Sequence, residues 1–539
     1  MKNYPYYSHN ELNTVKELLV FCSETYPDCT AFRFQEKKQT THISFRHFRQ
    51  EVEALTSYLY EQDFGGCHVA LLGENSYPWI RMHFAVLCGK GVAVPLDKDL
   101  SPEDAVVLIK DSDTTLLAYS HDYEDIALKI KELLPELSIQ DMDRLSLPSE
   151  TPTVNFCQAV NAPVGEDLAS IVFTSGTTGR SKGVMLTHRN LMSDLYGASC
   201  NAMIAGTSIL LLPLHHTFGL VAGLYSVMYY GYTLYISRSL KRVLKDFQEA
   251  KPQNTFVVPL IVETLHKNIW LTAKKQGKAG LLKRLITLSN LLRSLGIDLR
   301  KRLFKRVLEP LGGKLEVIIC GGAPLKPELV KEFDAFGITL LNGYGITECS
   351  PIVAVNRNRH NVIGSVGFPL CCNEVKLSPT GEILVRGDNV MIGYYKSPLD
   401  NKDAFTDGWF HTGDLGSLDD QGALFITGRI KNLIILSNGE NVPAEQIEEF
   451  LYQIPYVTEA IAYGENNQIV AELYLDPEVA EAKDMIHKAI SRLNDKLPFT
   501  HRIGQIRLRE EEFPKTTTRK IKRNIGRTSH AGNIDTYSD

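Results

Sequence analysis

Seven short runs of aliphatic, β-branched and aromatic residues recur along the first 341 positions, and the stretches between them are long enough for helices. The runs are Val69–Leu72, Thr115–Tyr119, Ser170–Phe173, Ile209–Leu212, Phe256–Val258, Val317–Ile319 and Thr339–Leu341. Runs apolar throughout, rather than alternating, suit strands buried on both faces, and helix-length spacers suit parallel connections. This predicts an α/β fold with a large N-terminal domain of stacked α/β layers. Ahead of them, Phe45, Phe48, Val52, Leu55 and Leu59 fall at spacings of 3, 4, 3 and 4, one face of a helix with Ser44 as its N-cap. From Gly364 to Tyr395 glycines and prolines break the chain into short alternating segments, which predicts a small antiparallel or β-barrel-like unit. Beyond Gly428, helices at Ala444–Gln453 and Asp484–Asn494 and strands near Glu459–Tyr463, Ile469–Tyr474 and Ile506–Leu508 predict a smaller, mobile α+β C-terminal domain. The expected division is 1–428, 429–525 and a disordered tail at 526–539.

Lys+Arg 58 against Asp+Glu 63 leaves a net charge of −5, so no general field holds a polyanion and nucleic acid is excluded as a partner. The ten cysteines form no C-x-x-C pair, which argues against a disulfide framework or zinc and for a reducing compartment. The start MKNYPYYSHN lacks a secretory pattern, so a cytoplasmic location is expected. Ile209 to Ile236 carries no Asp, Glu, Lys or Arg, yet Pro213, His215, His216 and three glycines interrupt it, so it reads as buried strand, loop and helix rather than a span. Thr264 to Lys314 holds 13 Lys/Arg against Asp298 and Glu309 only, a net of +11. That segment reads either as a solvated helical face or as a peripheral contact for anionic lipid, at an inner membrane face, or for an acidic partner.

Five segments carry chemistry. Ile171-Val-Phe-Thr-Ser-Gly-Thr-Thr-Gly-Arg-Ser-Lys-Gly183 reads as a buried strand, a loop of glycines and hydroxyls able to aim N–H groups at phosphates, and a helix from about Asn190; its Ser181-Lys182-Gly183 ending is not the Walker order. Leu341-Asn-Gly-Tyr-Gly-Ile-Thr-Glu348 puts an aromatic, two glycines and a carboxylate at a strand end, and Glu348 with Thr174 offers oxygen ligands suited to magnesium. Gly408-Trp-Phe-His-Thr-Gly-Asp414 brings a carboxylate of the kind that accepts ribose hydroxyls. Thr427-Gly-Arg429-Ile-Lys431 and Pro514-Lys-Thr-Thr-Thr-Arg-Lys520-Ile-Lys-Arg523 are basic, and alone the last reads as a solvated tail.

In this order, from about Thr14 to Arg523, the five segments resemble the adenylate-forming superfamily of acyl-CoA synthetases, luciferases and adenylation domains. Pro213-Leu-His-His-Thr-Phe-Gly219, Val258-Pro259 and the Thr-Arg-Lys-Ile-Lys-Arg ending look most like its long-chain fatty acyl-CoA ligases. The resemblance implies two steps with ATP and Mg²⁺: a fatty acid carboxylate attacks the α-phosphate to give acyl-AMP, and a thiol then displaces AMP. It implies that Thr174, Ser175, Gly176, Thr177, Thr178 and Gly179 wrap the leaving phosphates together with Lys182. Thr174 and Glu348 hold the metal. Gly322, Ala323, Pro324 and the Asn342, Gly343, Tyr344, Gly345, Thr347 segment flank the adenine. Asp414 and Arg429 bind ribose, with Ile426 beside the nucleotide, and Lys520 bridges carboxylate and α-phosphate. His216, Phe218, Gly219 and Val258 belong to the acyl pocket by the same resemblance, and Gly439 to the path of the thiol. Three positions depart from the family pattern: Arg519 replaces a glycine before Lys520, Ser181 a frequent proline, and Lys431 a frequent hinge aspartate.

Coenzyme A is the expected acceptor. An acyl carrier protein bearing phosphopantetheine, an aryl- or amino-acid adenylating ligase, and a lipid-binding protein with a lapsed site are the alternatives. No pattern fixes chain length or oligomeric state.

Overall fold

The computed structural model describes residues 4–36, 39–145, 162–174, 181–237, 242–436, 441–479, 481–515, 521, 523 and 534–536. They fall into two compact units, Met1–Val375 with Val385–Phe410 and Asp420–Ala423, and Lys376–Leu384 with His411–Asp419 and Leu424–Asp539. The fold is mixed α/β, with a large N-terminal unit and a smaller C-terminal one.

Two sheets build the large unit. One has nine strands, whose inner members Thr339–Gly345, Val317–Cys320, Asn254–Val257, Ser208–Leu210, Leu234–Ile236 and Thr30–Glu36 run parallel, with antiparallel strands at both edges. The other has seven; Leu168–Thr174, Val92–Leu96, His68–Leu72, Leu116–Tyr119 and Ser138–Asp141 are parallel neighbours. All seven apolar runs seen in the sequence overlap these strands. Their side chains are almost wholly buried, as two-sided coverage by helices requires. The Phe45–Glu61 helix buries Phe45, Phe48, Val52, Leu55 and Leu59, and Ser44 Oγ accepts from His47 N–H at 3.2 Å to cap it.

One expectation is corrected beyond the glycine-rich stretch. The chain forms a second strand, Lys182–Thr187, antiparallel to Leu168–Thr174, before the helix His188–Asn201 begins. The short run Val184-Met-Leu-Thr187 was hidden behind the Lys-Gly that ends the motif. Thr187 and Asn190 form a capping box, Asn190 N–H to Thr187 Oγ1 at 3.1 Å and Thr187 N–H to Asn190 Oδ1 at 2.9 Å. His188 N–H and Arg189 N–H donate to the Asp167 and Gly165 carbonyls at 3.1 and 2.7 Å, so the first donors of this helix are taken up by protein groups.

The uncharged stretch folds as the strand Ser208–Leu210, a π-helical segment Phe218–Tyr225, a short helix Ser226–Tyr229 and the strand Leu234–Ile236. Among the described residues no helix is long and apolar enough to cross a membrane. The nine described cysteines are free thiols.

In the small unit, Val457–Glu465, Gln468–Leu475 and Ile503–Arg509 form a sheet under the helices Ala444–Leu451 and Ala482–Asn494, around Ile447, Leu451, Ala471, Leu473, Ile486 and Ile506. The helix Ala482–Asn494 is the crossover that lets Gln468–Leu475 and Ile503–Arg509 pair in parallel. Removing a buried side chain such as Ile447 to alanine costs about 2–5 kcal/mol. Ile534–Thr536 pairs antiparallel with Ile503–Arg509, inside the stretch that composition reads as a tail.

Candidate active site

The strand Leu168–Thr174 ends with Thr174 opposite Lys182 on its antiparallel partner. Ser175, Gly176, Thr177, Thr178 and Gly179, between them, lie outside the described residues. Lys182 Nζ sits 2.5 Å from Asp400 Oδ1 and 5.0 Å from the centre of the Tyr394 ring. The Tyr394 hydroxyl in turn donates to Glu348 Oε1 at 2.9 Å. Burial, then the Glu348 charge, raises the Tyr394 pKa, so the phenol remains a donor. The pair Lys182–Asp400 is partly exposed and worth about 0–1 kcal/mol, weak enough for a phosphate to take the lysine from it.

Glu348 lies in a turn of 3₁₀ helix, Thr347–Cys349, just after the strand Thr339–Gly345, and Met391 N–H donates to the Glu348 carbonyl at 2.8 Å. Gly345 is required there: a Cβ would stand 2.2 Å from the Pro351 carbonyl oxygen. Val317–Cys320 and Thr339–Gly345 are adjacent parallel strands with Cys320 opposite Asn342. Gly322, Ala323 and Pro324 are exposed just past the carboxyl end of the first, and Gly322 takes φ +85°, a conformation open to glycine. Crevices at the carboxyl ends of parallel strands are where α/β sheets bind ligands. Gly343 and Tyr344 are half-buried at the same end, and the Asn342 amide donates to Ser365 O at 3.1 Å while its Oδ1 is buried without a partner among the described residues.

Two of the residues expected in the acyl pocket reach these strand ends. A methyl group on Gly322 would lie 3.7 Å from Val258 Cγ1, and one on Gly321 would lie 3.5 Å from the Phe218 ring. His216 precedes Phe218 in the turn, its ring centre 4.3 Å from that of His215. Gly219 has a packing reason of its own, since a Cβ there would stand 2.3 Å from the Pro213 carbonyl oxygen. His215 is the more buried of the two histidines; burial, then Lys98, pushes its pKa down to about 4, so it is neutral near pH 7.

The C-terminal unit carries its own pair. Asp414 and Arg429 face each other across the strands Trp409–Leu418 and Leu424–Arg429, with Arg429 Nε 2.6 Å from Asp414 Oδ1. Asp414 is 2% exposed, whereas Ile426 on the same hairpin is exposed. Lys431 is exposed at the surface, and partial desolvation followed by the Arg429 charge lowers its pKa. Gly439 and Lys520 lie outside the described residues. On either side of 516–520 the chain is held: Lys515 and Ile521 pair as an isolated bridge, Lys515 is bonded to Glu459 and Glu512, and Arg523 Nη2 lies 2.5 Å from Glu448 Oε2 and 3.5 Å from Glu445 Oε1.

The family described as AMP-binding enzyme matches residues 22–395, and the one described as AMP-binding enzyme C-terminal domain matches 431–538. The chain belongs to the AMP-binding enzyme family. Long-chain-fatty-acid–CoA ligase FadD15 of Mycobacterium bovis is 29% identical to it over 448 residues, 77% of this chain and 74% of that protein. The chloroplastic long-chain-fatty-acid–[acyl-carrier-protein] ligase AEE15 of Arabidopsis thaliana is 29% identical over 452 residues, 69% of this chain and 61% of its own length. The solved o-succinylbenzoate coenzyme A synthetase of Bacillus subtilis, in complex with ATP and magnesium, superimposes with a TM-score of 0.74 at 23% identity, covering 94% of this chain and 98% of that one; it shows the shared fold.

Within this AMP-binding enzyme the donor chemistry at Glu348 suits magnesium: its Oε1 is held by the Tyr394 hydroxyl, and the hydroxyl of Thr174 is a hard oxygen of the same kind. Tyr394 and Asp400 escaped sequence reasoning. They lie more than 200 positions from Lys182, and only the antiparallel pairing of Gly393–Tyr394 with Lys182–Thr187 brings them to it. Glu448, the anchor of Arg523, was equally silent in the helix pattern.

Proposed function

We propose that this AMP-binding enzyme activates a medium- to long-chain fatty acid with ATP and passes the acyl group to coenzyme A. In the first half-reaction a carboxylate oxygen bonds to the α-phosphorus as the bond to pyrophosphate breaks. In the second the thiol sulfur bonds to the acyl carbon, AMP leaves with the mixed-anhydride oxygen, and the thiol proton passes to solvent. The first step joins anions, so its barrier is electrostatic and yields to cations and oriented N–H donors. Thr174 and Glu348 would hold magnesium, which supplies charge against the phosphates. Lys182 exchanges Asp400 for a phosphate oxygen, the strand-end glycines admit the adenine, Asp414 takes the ribose hydroxyls while Arg429 orients it, and Lys520 meets the carboxylate and α-phosphate.

In this reading residues 1–428 adenylate and 429–525 turn about Lys431 between half-reactions to bring Gly439 to the thiol, all on the cytoplasmic side. The joint match of both family descriptions, with Glu348, Lys182 and Tyr394 linked side chain to side chain, carries the proposal. The name of the Arabidopsis relative supports an acyl carrier protein as the second reading of the acceptor. Palmitate, benzoate and amino acids, each offered with coenzyme A or carrier protein, separate the readings. Palmitoyl-CoA is the expected product. A thioester formed on carrier protein only would overturn the acceptor, and turnover of benzoate alone would overturn the fatty acid.

A further inference from the structure

The basic stretch of the sequence folds into two helices, Pro259–Lys275 and Ala279–Ser294, whose solvent faces are neither plainly polar nor covered. On the second helix and its cap, Leu281, Leu288, Leu291 and Leu295 follow at spacings of 7, 3 and 4 and are 45–69% exposed. At 3.6 residues per turn they share an arc of about 80° and a stripe about 20 Å long. Along the first helix Leu260 and Leu271 are exposed on the same face as Lys267, Lys274 and Lys275, and Lys278 follows.

The charge on this face is unspent. Glu263, Glu332, Asp298 and Asp334 are bonded to Lys326, His266, Arg300 and Arg293. Lys267, Lys274, Lys275, Lys278 and Arg284 make no ion pair among the described residues. An exposed leucine stripe alone would suit a second copy of the chain, but two such faces would bring like charges together. An acidic protein would meet the lysines and leave the leucines without a stated partner. Leucines interleaved with lysines match a surface that is apolar below and anionic above.

We propose that this double-helix face docks on an anionic lipid bilayer, its leucines entering the boundary between headgroups and acyl chains and its lysines meeting the lipid charges. The inference stands apart from the ligase reading, because vesicle binding is measured without turnover. The full chain is sedimented with phosphatidylcholine vesicles with and without phosphatidylglycerol. Binding to the anionic vesicles, weakened by added salt, is expected. Lys274→Gln, Lys275→Gln and Lys278→Gln combined should lower partitioning about a hundredfold, given about 1 kcal/mol per basic residue at the surface. Leu288→Ser with Leu291→Ser should lower it with the lysines intact, and circular dichroism melts should match wild type for both. The proposal is overturned if wild-type protein stays in the supernatant with anionic vesicles, if both variants bind as wild type does, or if the face holds an acidic carrier protein and no vesicle.

Discussion

The two units assemble their charged groups in different ways. In the large unit Lys182 meets Asp400, and Tyr394 meets Glu348, across 218 and 46 positions of chain. In the small unit Asp414 and Arg429 are 15 positions apart and set opposite one another by a single hairpin. The first cluster exists only when distant segments have packed, whereas the second is a local consequence of strand register. Their buried titrating groups differ too. His188 and His215 of the large unit are held neutral, with pKa values near 4, mainly by burial, while burial raises Glu448 of the small unit to about 7 despite Arg523. The proposed nucleotide site rests on the far-flung cluster, and the local pair belongs to the unit proposed to move.

Lys520→Ala tests that contrast hardest. Acyl-AMP formation should fall by about 10²–10³, or 3–4 kcal/mol by analogy with the loss of an oxyanion donor. Thiol transfer from supplied acyl-AMP should persist; equal loss of both half-reactions would break the division of labour.

Next in size is the pH response of stability, which should run in opposite directions in the two units. An imidazole with a folded pKa near 4 and an unfolded value of 6.5 binds fewer protons when folded, so its contribution is lost as pH falls from 6.5 to 4, by about 3 kcal/mol for each of His188 and His215. A carboxyl raised from 4.5 to about 7 binds more protons when folded, so Glu448 costs the small unit about 3 kcal/mol as pH rises through that window. Denaturant titrations across pH, wild type against Glu448→Gln, read the second slope, which should vanish in the variant.

Asp414→Asn keeps the hairpin but removes the charge facing Arg429. The KM for ATP should rise about thirtyfold, close to the 2 kcal/mol of a hydrogen bond to a charged group. The smallest effect belongs to Tyr394→Phe, which deletes the 2.9 Å bond to Glu348. About 1 kcal/mol is expected, read as a fivefold rise in the magnesium concentration for half-maximal rate with little change in melting temperature. No change in magnesium dependence would remove Tyr394 from the account.

What the sequence reveals follows the same divide. Strands buried on both faces and the Phe45–Glu61 helix are legible because local periodicity states them. Asp414 and Arg429 are legible as motif members, and register keeps them together. The strand Lys182–Thr187 is not legible because four apolar or hydroxyl residues after a Lys-Gly carry too short a signal, and neither is Tyr394, which that strand recruits. The family resemblance places Gly219 in a pocket, and the structure adds a backbone approach that no composition reports.

The central claim is that fixed charge and backbone donors around a nucleotide join two anions. The direct measurement is pyrophosphate release by purified protein given ATP and magnesium, with and without a long-chain fatty acid, before any thiol is added. A burst of pyrophosphate that requires the acid is predicted. Silence across a series of saturated acids of increasing length would contradict it.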